Sequence, residues 1–206
     1  MITYKGLPAP VICDWMSRED SRSKYAPGTE FQIGRIDMVA NTGTYIDSPF
    51  HRYEKGKDLS ELPLESVANV ECLVVRVDPS KGGTIDSVPL TASSVSGRAV
   101  LFHTAWDRHW RTDAYFEGHP HLTERAADWL VKAGAVIVGI DSFNIDSIAT
   151  GERPVHTILL GHDIPIVEHM CNLAAVPDQG SVFSAVPVKV KGFGTFPVRA
   201  FVTSAS

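Results

Sequence analysis

Four side chains able to do chemistry fall close together in the segment Asn41-Thr42-Gly43-Thr44-Tyr45-Ile46-Asp47-Ser48-Pro49-Phe50-His51. On an extended chain, residues two apart share a face. Asn41, Tyr45 and Asp47 then project together, and Gly43 leaves a gap through which a ligand or ion can approach the backbone. Pro49 ends the regular strand and stiffens the turn that presents His51. One face thus carries an amide, a phenol, a carboxylate and an imidazole. An imidazole suits proton transfer near neutral pH, a task open to His51. The bland alternative is that Asp47 only pins a turn.

The elements that must position these groups are read from periodicity and punctuation. Residues 35–40 and 70–77 read as strands, the second a largely apolar, β-branched run suited to a buried position. Residues 59–67 hold one short helical turn. Residues 99–102 and 135–140 are apolar strand candidates. Between them Thr123 caps a helix, Glu124 favours its first turn, Ala126 with Leu130 and Ala127 with Val131 form the buried stripe, and Gly134 stops it. A strand, helix, strand unit joins parallel strands. Ligands gather beyond the carboxyl ends of such strands, which here finish in His103-Thr104 and Asp141-Ser142. The long loop 105–121 carries Trp106, Asp107, His109, Trp110, Tyr115, Phe116, His119 and His121, which would line a pocket or seal a subunit contact. Residues 183–191 and 198–203 read as an antiparallel pair, with Pro187 placing the first at an edge. Turns are expected at 79–83 and 177–180.

The chain has 206 residues, 44% hydrophobic and 21% charged, with a net charge of -5 and no run of lysine or arginine. These figures suit one soluble globular domain spanning 1–206 with a small-molecule substrate. They supply no electrostatic footprint for nucleic acid or an anionic membrane. The N-terminus lacks a secretory pattern, and no segment approaches ~18 consecutive apolar residues. Three widely spaced cysteines, Cys13, Cys72 and Cys171, fit a reducing cytoplasm better than a disulfide framework, each as a small buried residue. Cys171 lies near Glu168 in sequence but has no Cys-x-x-Cys partner.

The segment quoted first resembles the His-x-Gly-Thr-His-x-Asp-x-Pro-x-His signature of the cyclase family, which includes bacterial kynurenine formamidase and isatin hydrolase. Gly43, Thr44, Asp47, Pro49 and His51 match, while Asn41 and Tyr45 stand where the family has histidines. A second block, His156-Thr157-Ile158-Leu159-Leu160 with Ile164-Pro165-Ile166-Val167-Glu168 and Asn172-Leu173, is similar to the family's other ligand segment. The resemblance covers roughly residues 30 to 175. It implies the swivelling β/β/α fold, an α/β architecture of mixed sheet and flanking helices, assembled as homodimer or homotetramer.

For the site, the resemblance implies that Asp47, His156 and Glu168 hold one divalent metal, Zn or Mn, with no organic cofactor. His51 is then the general acid/base, with Asp47 as its catalytic companion. A second ion is not expected, because an amide oxygen and a phenol substitute poorly for imidazole. Asn41, Tyr45, Trp106, Trp110, Tyr115 and His103 are the substrate-binding candidates, since the family has a similar aromatic loop. The implied activity is hydrolysis of an amide, lactam or lactone in a small cyclic or aromatic molecule, by water attack at the carbonyl. Two alternatives stay open: a metal-independent dehydratase, isomerase or cyclase on the same scaffold, and a ligand-binding protein without turnover. Asp146, His103, His109, His162 and His169 each read individually as surface or packing residues.

Overall fold

In the computed structural model, which describes residues 6–78 and 83–204, the site sits on one mixed sheet whose inner strands are buried on both faces. The elements run β1 Val11–Met16, α1 Arg18–Arg22, β2 Ile33–Asp37, β3 Tyr45–Asp47, α2 Leu64–Val67, β4 Val70–Arg76, β5 Thr84–Ile85, α3 Ala92–Val95 and β6 Ala99–His103. They continue with β7 His121–Leu122, α4 Glu124–Ala133, β8 Ile137–Ile140, α5 Pro154–Gly161, β9 Ile166–Glu168, β10 Ser181–Ser184, β11 Thr195–Pro197 and β12 Phe201–Ser204. Eight strands form the sheet in the order β11-β3-β9-β8-β6-β4-β10-β12. The central four are parallel; β3 and β10 flank them antiparallel, and β11 and β12 pair antiparallel with β3 and β10 in turn.

The apolar runs of β4, β6 and β8 have a direct cause. Leu73, Val75, Val100, Phe102, Val138 and Ile140 pack with α4 and α5 on one face. Cys72, Val74, Ala99, Leu101 and Ile137 pack with Ile46, Val67, Val167 and Phe183 on the other. A strand covered on both sides has no polar alternation to show. The helix α4 follows its sequence signals closely. The Thr123 side chain accepts from Ala126 N, Gly134 takes the left-handed conformation at φ 78°, and Ala126, Ala127, Leu130 and Ala133 are buried. Truncating a fully buried side chain such as Leu130 to alanine costs about 2–5 kcal/mol.

Several expectations need correction. The regular strand before Pro49 starts only at Tyr45, because Gly43 is left-handed at φ 68° and turns the chain. Gly43 therefore makes a bend, and Asn41 reaches the site from outside the strand. The strand read at 35–40 spans Ile33–Asp37, and that read at 183–191 ends at Ser184. Pro187 lies beyond that end, and β10 is internal, between β4 and β12. Only Cys72 is buried; Cys13 and Cys171 are exposed. Residues 79–82 of the first expected turn, and the last two residues, lie outside the described ones.

One region stands apart. The strands β1 and β2 form a separate antiparallel pair that belongs to neither core cluster, and Val11, Ile12, Trp15, Ile33 and Ile36 are exposed on it. Among the described residues no helix is long and apolar enough to cross a membrane.

Candidate active site

Strand register assembles the floor of the site. In β3, Tyr45 pairs with Glu168 of β9, while Asp47 pairs with Thr195 of β11 on its other side. Cross-strand neighbours have side chains within reach of each other. Both pairs use that proximity: Tyr45 donates its phenol hydrogen to Glu168 Oε2 at 2.6 Å, and Thr195 donates its hydroxyl hydrogen to Asp47 Oδ1. The backbone N–H of Ile145 donates to Glu168 Oε1 at 2.6 Å. Tyr45, Asp47 and Glu168 are all essentially buried.

The imidazoles arrive from two short helices. Pro49 opens a one-turn 3-10 helix, Pro49–His51, which carries His51 to the cavity. Gly194 packs so closely on this turn that a Cβ there would overlap the His51 backbone. The helix α5 begins at Pro154 and brings His156 in on its first turn. Its N-cap, Arg153, offers no side-chain acceptor. That task falls to Asp146, which accepts from Val155 N at 2.8 Å and His156 N at 3.0 Å. The same carboxylate lies 2.6 Å from His156 Nδ1. One residue thus caps the helix and fixes the imidazole, so that Nε2 faces Asp47 and Glu168.

The distances define a compact polar centre. His156 Nε2 is 3.7 Å from Asp47 Oδ2 and 3.8 Å from Glu168 Oε1. His51 Nδ1 is 3.7 Å from Asp47 Oδ1 and 2.8 Å from Thr195 Oγ1. Since the Thr195 hydrogen goes to a carboxylate, which only accepts, its oxygen accepts from His51 Nδ1–H. That leaves Nε2 of His51 as the unprotonated, basic nitrogen. Burial opposes charge on His156, but the hydrogen bond to Asp146 and the nearby carboxylates of Asp47 and Glu168 outweigh it, raising its pKa to about 10. Burial raises the Glu168 carboxyl, with the His156 charge opposing.

The donor set fits a divalent ion. Asp47, His51 and His156 offer ligand atoms all within 4.8 Å of one another. Asp47 Oδ2 is buried without a hydrogen-bond partner. The nearest positive group to that oxygen is His156 at 3.7 Å, too far for a hydrogen bond, so a divalent ion that displaced the imidazole proton would satisfy the carboxylate and take the ring as a ligand. Two ligands of a tetrahedral ion, each ~2.1 Å from it, lie about 3.4 Å apart, close to the separations here. Both oxygens of Glu168 already have donors from Tyr45 and Ile145.

The cavity above this floor measures about 770 Å³. Asn41, Tyr45, His51, His156 and Glu168 line it, joined by Arg52, Glu124, Asn144, Glu152, Arg153 and Thr157. Trp106, Trp110, Tyr115 and His103 are not among its lining residues. The rings of the 105–121 loop pack on one another and on His169. The start of the loop is held by Asp141, which accepts from Thr104 N, Thr104 Oγ1 and Ala105 N. Trp106 Nε1 donates to Tyr115 O, Trp110 meets Tyr115 edge to face with ring centres 5.0 Å apart, and Tyr115 OH contacts His169 Nδ1 at 2.9 Å. His169 in turn packs 5.2 Å from Tyr45, and burial lowers its pKa to about 3, so it is neutral. His103 contacts Arg76 at 3.1 Å, and its Nε2 lies 4.0 Å from Asp141 Oδ2.

Two residues of the centre escape sequence reasoning. Asp146 reads as an isolated acid, although a proline-led helix with an arginine N-cap needs a carboxylate from elsewhere. Thr195 carries no local signal, because only the β11 to β3 register brings it to Asp47.

Fold and site together define an α/β protein built around a buried centre of carboxylates and imidazoles, with room beside it for a small molecule. The family described as "Putative cyclase" matches residues 6–147, and the chain belongs to that cyclase family. It is 30% identical over 167 residues to a kynurenine formamidase of Erythrobacter litoralis, covering 79% of this chain and 73% of the relative. It is 28% identical over 187 residues to a kynurenine formamidase of Bacillus cereus, covering 90% and 86%. Among solved structures it superposes on an isatin hydrolase bound to the product analogue thioisatinate, with TM-score 0.76 and 22% identity over 96% of this chain and 82% of that one. A potential metal-dependent hydrolase with cyclase activity gives TM-score 0.66 at 25% identity, covering 94% and 98%. The chain is thus a hydrolase-like member of the cyclase family.

Proposed function

We propose that the protein hydrolyses an amide, lactam or lactone bond in a small cyclic or aromatic molecule. The observation that carries this reading is the orphaned Asp47 Oδ2 facing an imidazole already oriented by Asp146. Asp47 and His156 would hold one zinc or manganese ion, with His51 or Glu168 next to it. Such an ion supplies a Lewis acid and a bound water with pKa near ~7.

The chain's own residues account for the proton traffic. Through Thr195, Asp47 fixes the His51 tautomer, so Nε2 takes a proton from water as its oxygen bonds to the carbonyl carbon. The same nitrogen returns that proton to the leaving nitrogen or oxygen as the bond to carbon breaks. The buried phenol of Tyr45 holds Glu168, and Asn41 offers the substrate a neutral amide at the rim. The aromatic loop supports Tyr45 through His169 and Tyr115.

This reading places the chain in the swivelling β/β/α architecture and makes it a homodimer or homotetramer. The exposed apolar side chains of the β1–β2 pair support assembly, since an isolated two-stranded pair is marginally stable in water. Light scattering that returned a monomer would remove that part.

The direct trial is incubation with N-formylkynurenine, isatin and simple lactones, with and without Zn²⁺ or Mn²⁺. Turnover of at least one, lost in His51→Ala, is expected; no turnover of any defeats the reading. Metal content of His51→Ala then separates its roles: retained metal with lost turnover marks an acid/base, and loss of both marks a ligand. The His51, Thr195, Asp47 chain also suits a metal-independent reaction, which a stoichiometric ion in the purified protein would rule out.

A further inference from the structure

We propose that Arg52 recognises a carboxylate on the substrate, remote from the reacting carbonyl, and so selects anionic over neutral molecules. The inference rests on the reading that this cavity receives the substrate. Four arginines of the described chain form ion pairs: Arg22 with Glu30, Arg76 with Asp178, Arg98 with Glu71 and Arg125 with Asp86. Arg52 lines the cavity, directly follows His51, and makes no ion pair among the described residues, although Glu124 and Glu152 line the same cavity.

Its side chain is nonetheless held. The Arg52 backbone N–H closes the proline-led turn on Pro49 O at 3.1 Å. Nε donates to Thr157 Oγ1 at 3.3 Å, and the guanidinium lies 5.5 Å from the Tyr53 ring centre. Tyr53 is itself fixed by its hydroxyl donating to Thr157 O at 2.8 Å. With Nε engaged, the two terminal nitrogens remain as a planar fork, the geometry that matches a carboxylate with two parallel hydrogen bonds. Arg153, which lines the same cavity, is engaged by the carbonyls of Ser147, Thr150 and Glu152, whereas the exposed fork of Arg52, with no ion pair among the described residues, is open to an anion beside the candidate proton-transfer residue. Glu124 and Glu152 oppose any anion in the cavity, which keeps the expected preference moderate.

The test compares benzoate with benzamide, an anion and a neutral molecule of similar shape, by calorimetric titration of the purified protein. The wild type should bind benzoate about ten-fold more tightly than benzamide, the preference should vanish in Arg52→Gln, and Arg52→Lys should recover part of it. Equal affinities in the wild type, a preference that survives Arg52→Gln, or no binding of benzoate would overturn the proposal. A preference that survives would also expose benzoate held by a metal ion instead. Because binding is read without turnover, a protein that hydrolyses none of the trial compounds can still pass, and an active hydrolase can still fail.

Discussion

The floor of the cavity and the aromatic loop are both rich in groups that attract functional interpretation, yet they are built on opposite terms. On the floor, polar side chains are buried in a precise order: Asp146 on His156, Thr195 between Asp47 and His51, and Tyr45 on Glu168. One carboxylate oxygen is left over. In the loop, the rings are used against one another, Trp110 on Tyr115, and Tyr115 and Phe116 on Phe143. What marks the chemical centre is the kind of group left unsatisfied, a carboxylate oxygen facing an imidazole; the loop, a supporting wall, leaves a ring nitrogen, His119 Nδ1.

Variants sharpen that contrast. The largest effect is expected from His51→Ala: hydrolysis should fall by about 10²–10⁴-fold, with little change in Tm, because the group transfers protons and its side chain is partly exposed. Kinetics on whichever trial compound turns over, alongside a thermal melt, checks this. Asp146→Ala should destabilise the fold by about 3–5 kcal/mol, since it strips a buried partner from His156 and from the first turn of α5. Urea unfolding measures that loss, and a change below 1 kcal/mol would deny Asp146 its double duty.

Thr195→Val should lower turnover about ten-fold through lost control of the His51 tautomer, with KM nearly unchanged. An unchanged rate would mean that His51 finds its orientation without the hydroxyl. The smallest effect belongs to the loop. Tyr115→Phe should cost about 1 kcal/mol of stability through the lost contact with His169 and leave turnover within a factor of two or three. A large selective fall in kcat there would erase the distinction between floor and wall.

These two regions also differ in how far they can be read from sequence. The helix α4 was legible from its Thr123 cap, its buried stripe and its Gly134 stop. The strands β4, β6 and β8 were legible from apolar runs that reflect cover on both faces. On the floor, Asp47 and His51 stood out because Pro49 joins them in one short segment. His156 and Glu168 became visible only through resemblance to a family. Thr195 and Asp146 were hidden, since strand register and a cap supplied from ten residues upstream leave no local trace. The loop is less legible for a related reason: aromatic density announces packing, but not the surface on which the rings will pack. Two-residue spacing puts Asn41 and Tyr45 on one strand face, whereas the left-handed Gly43 puts a bend between them.

The central claim is that the orphaned carboxylate oxygen and the oriented imidazole form a binding centre for one ion. Elemental analysis of protein purified without chelator, compared with an Asp47→Ala variant confirmed as folded, tests it most directly. About one zinc or manganese per chain in the wild type and almost none in the variant is the predicted result. No metal in the wild type, or the same content in both, would contradict it.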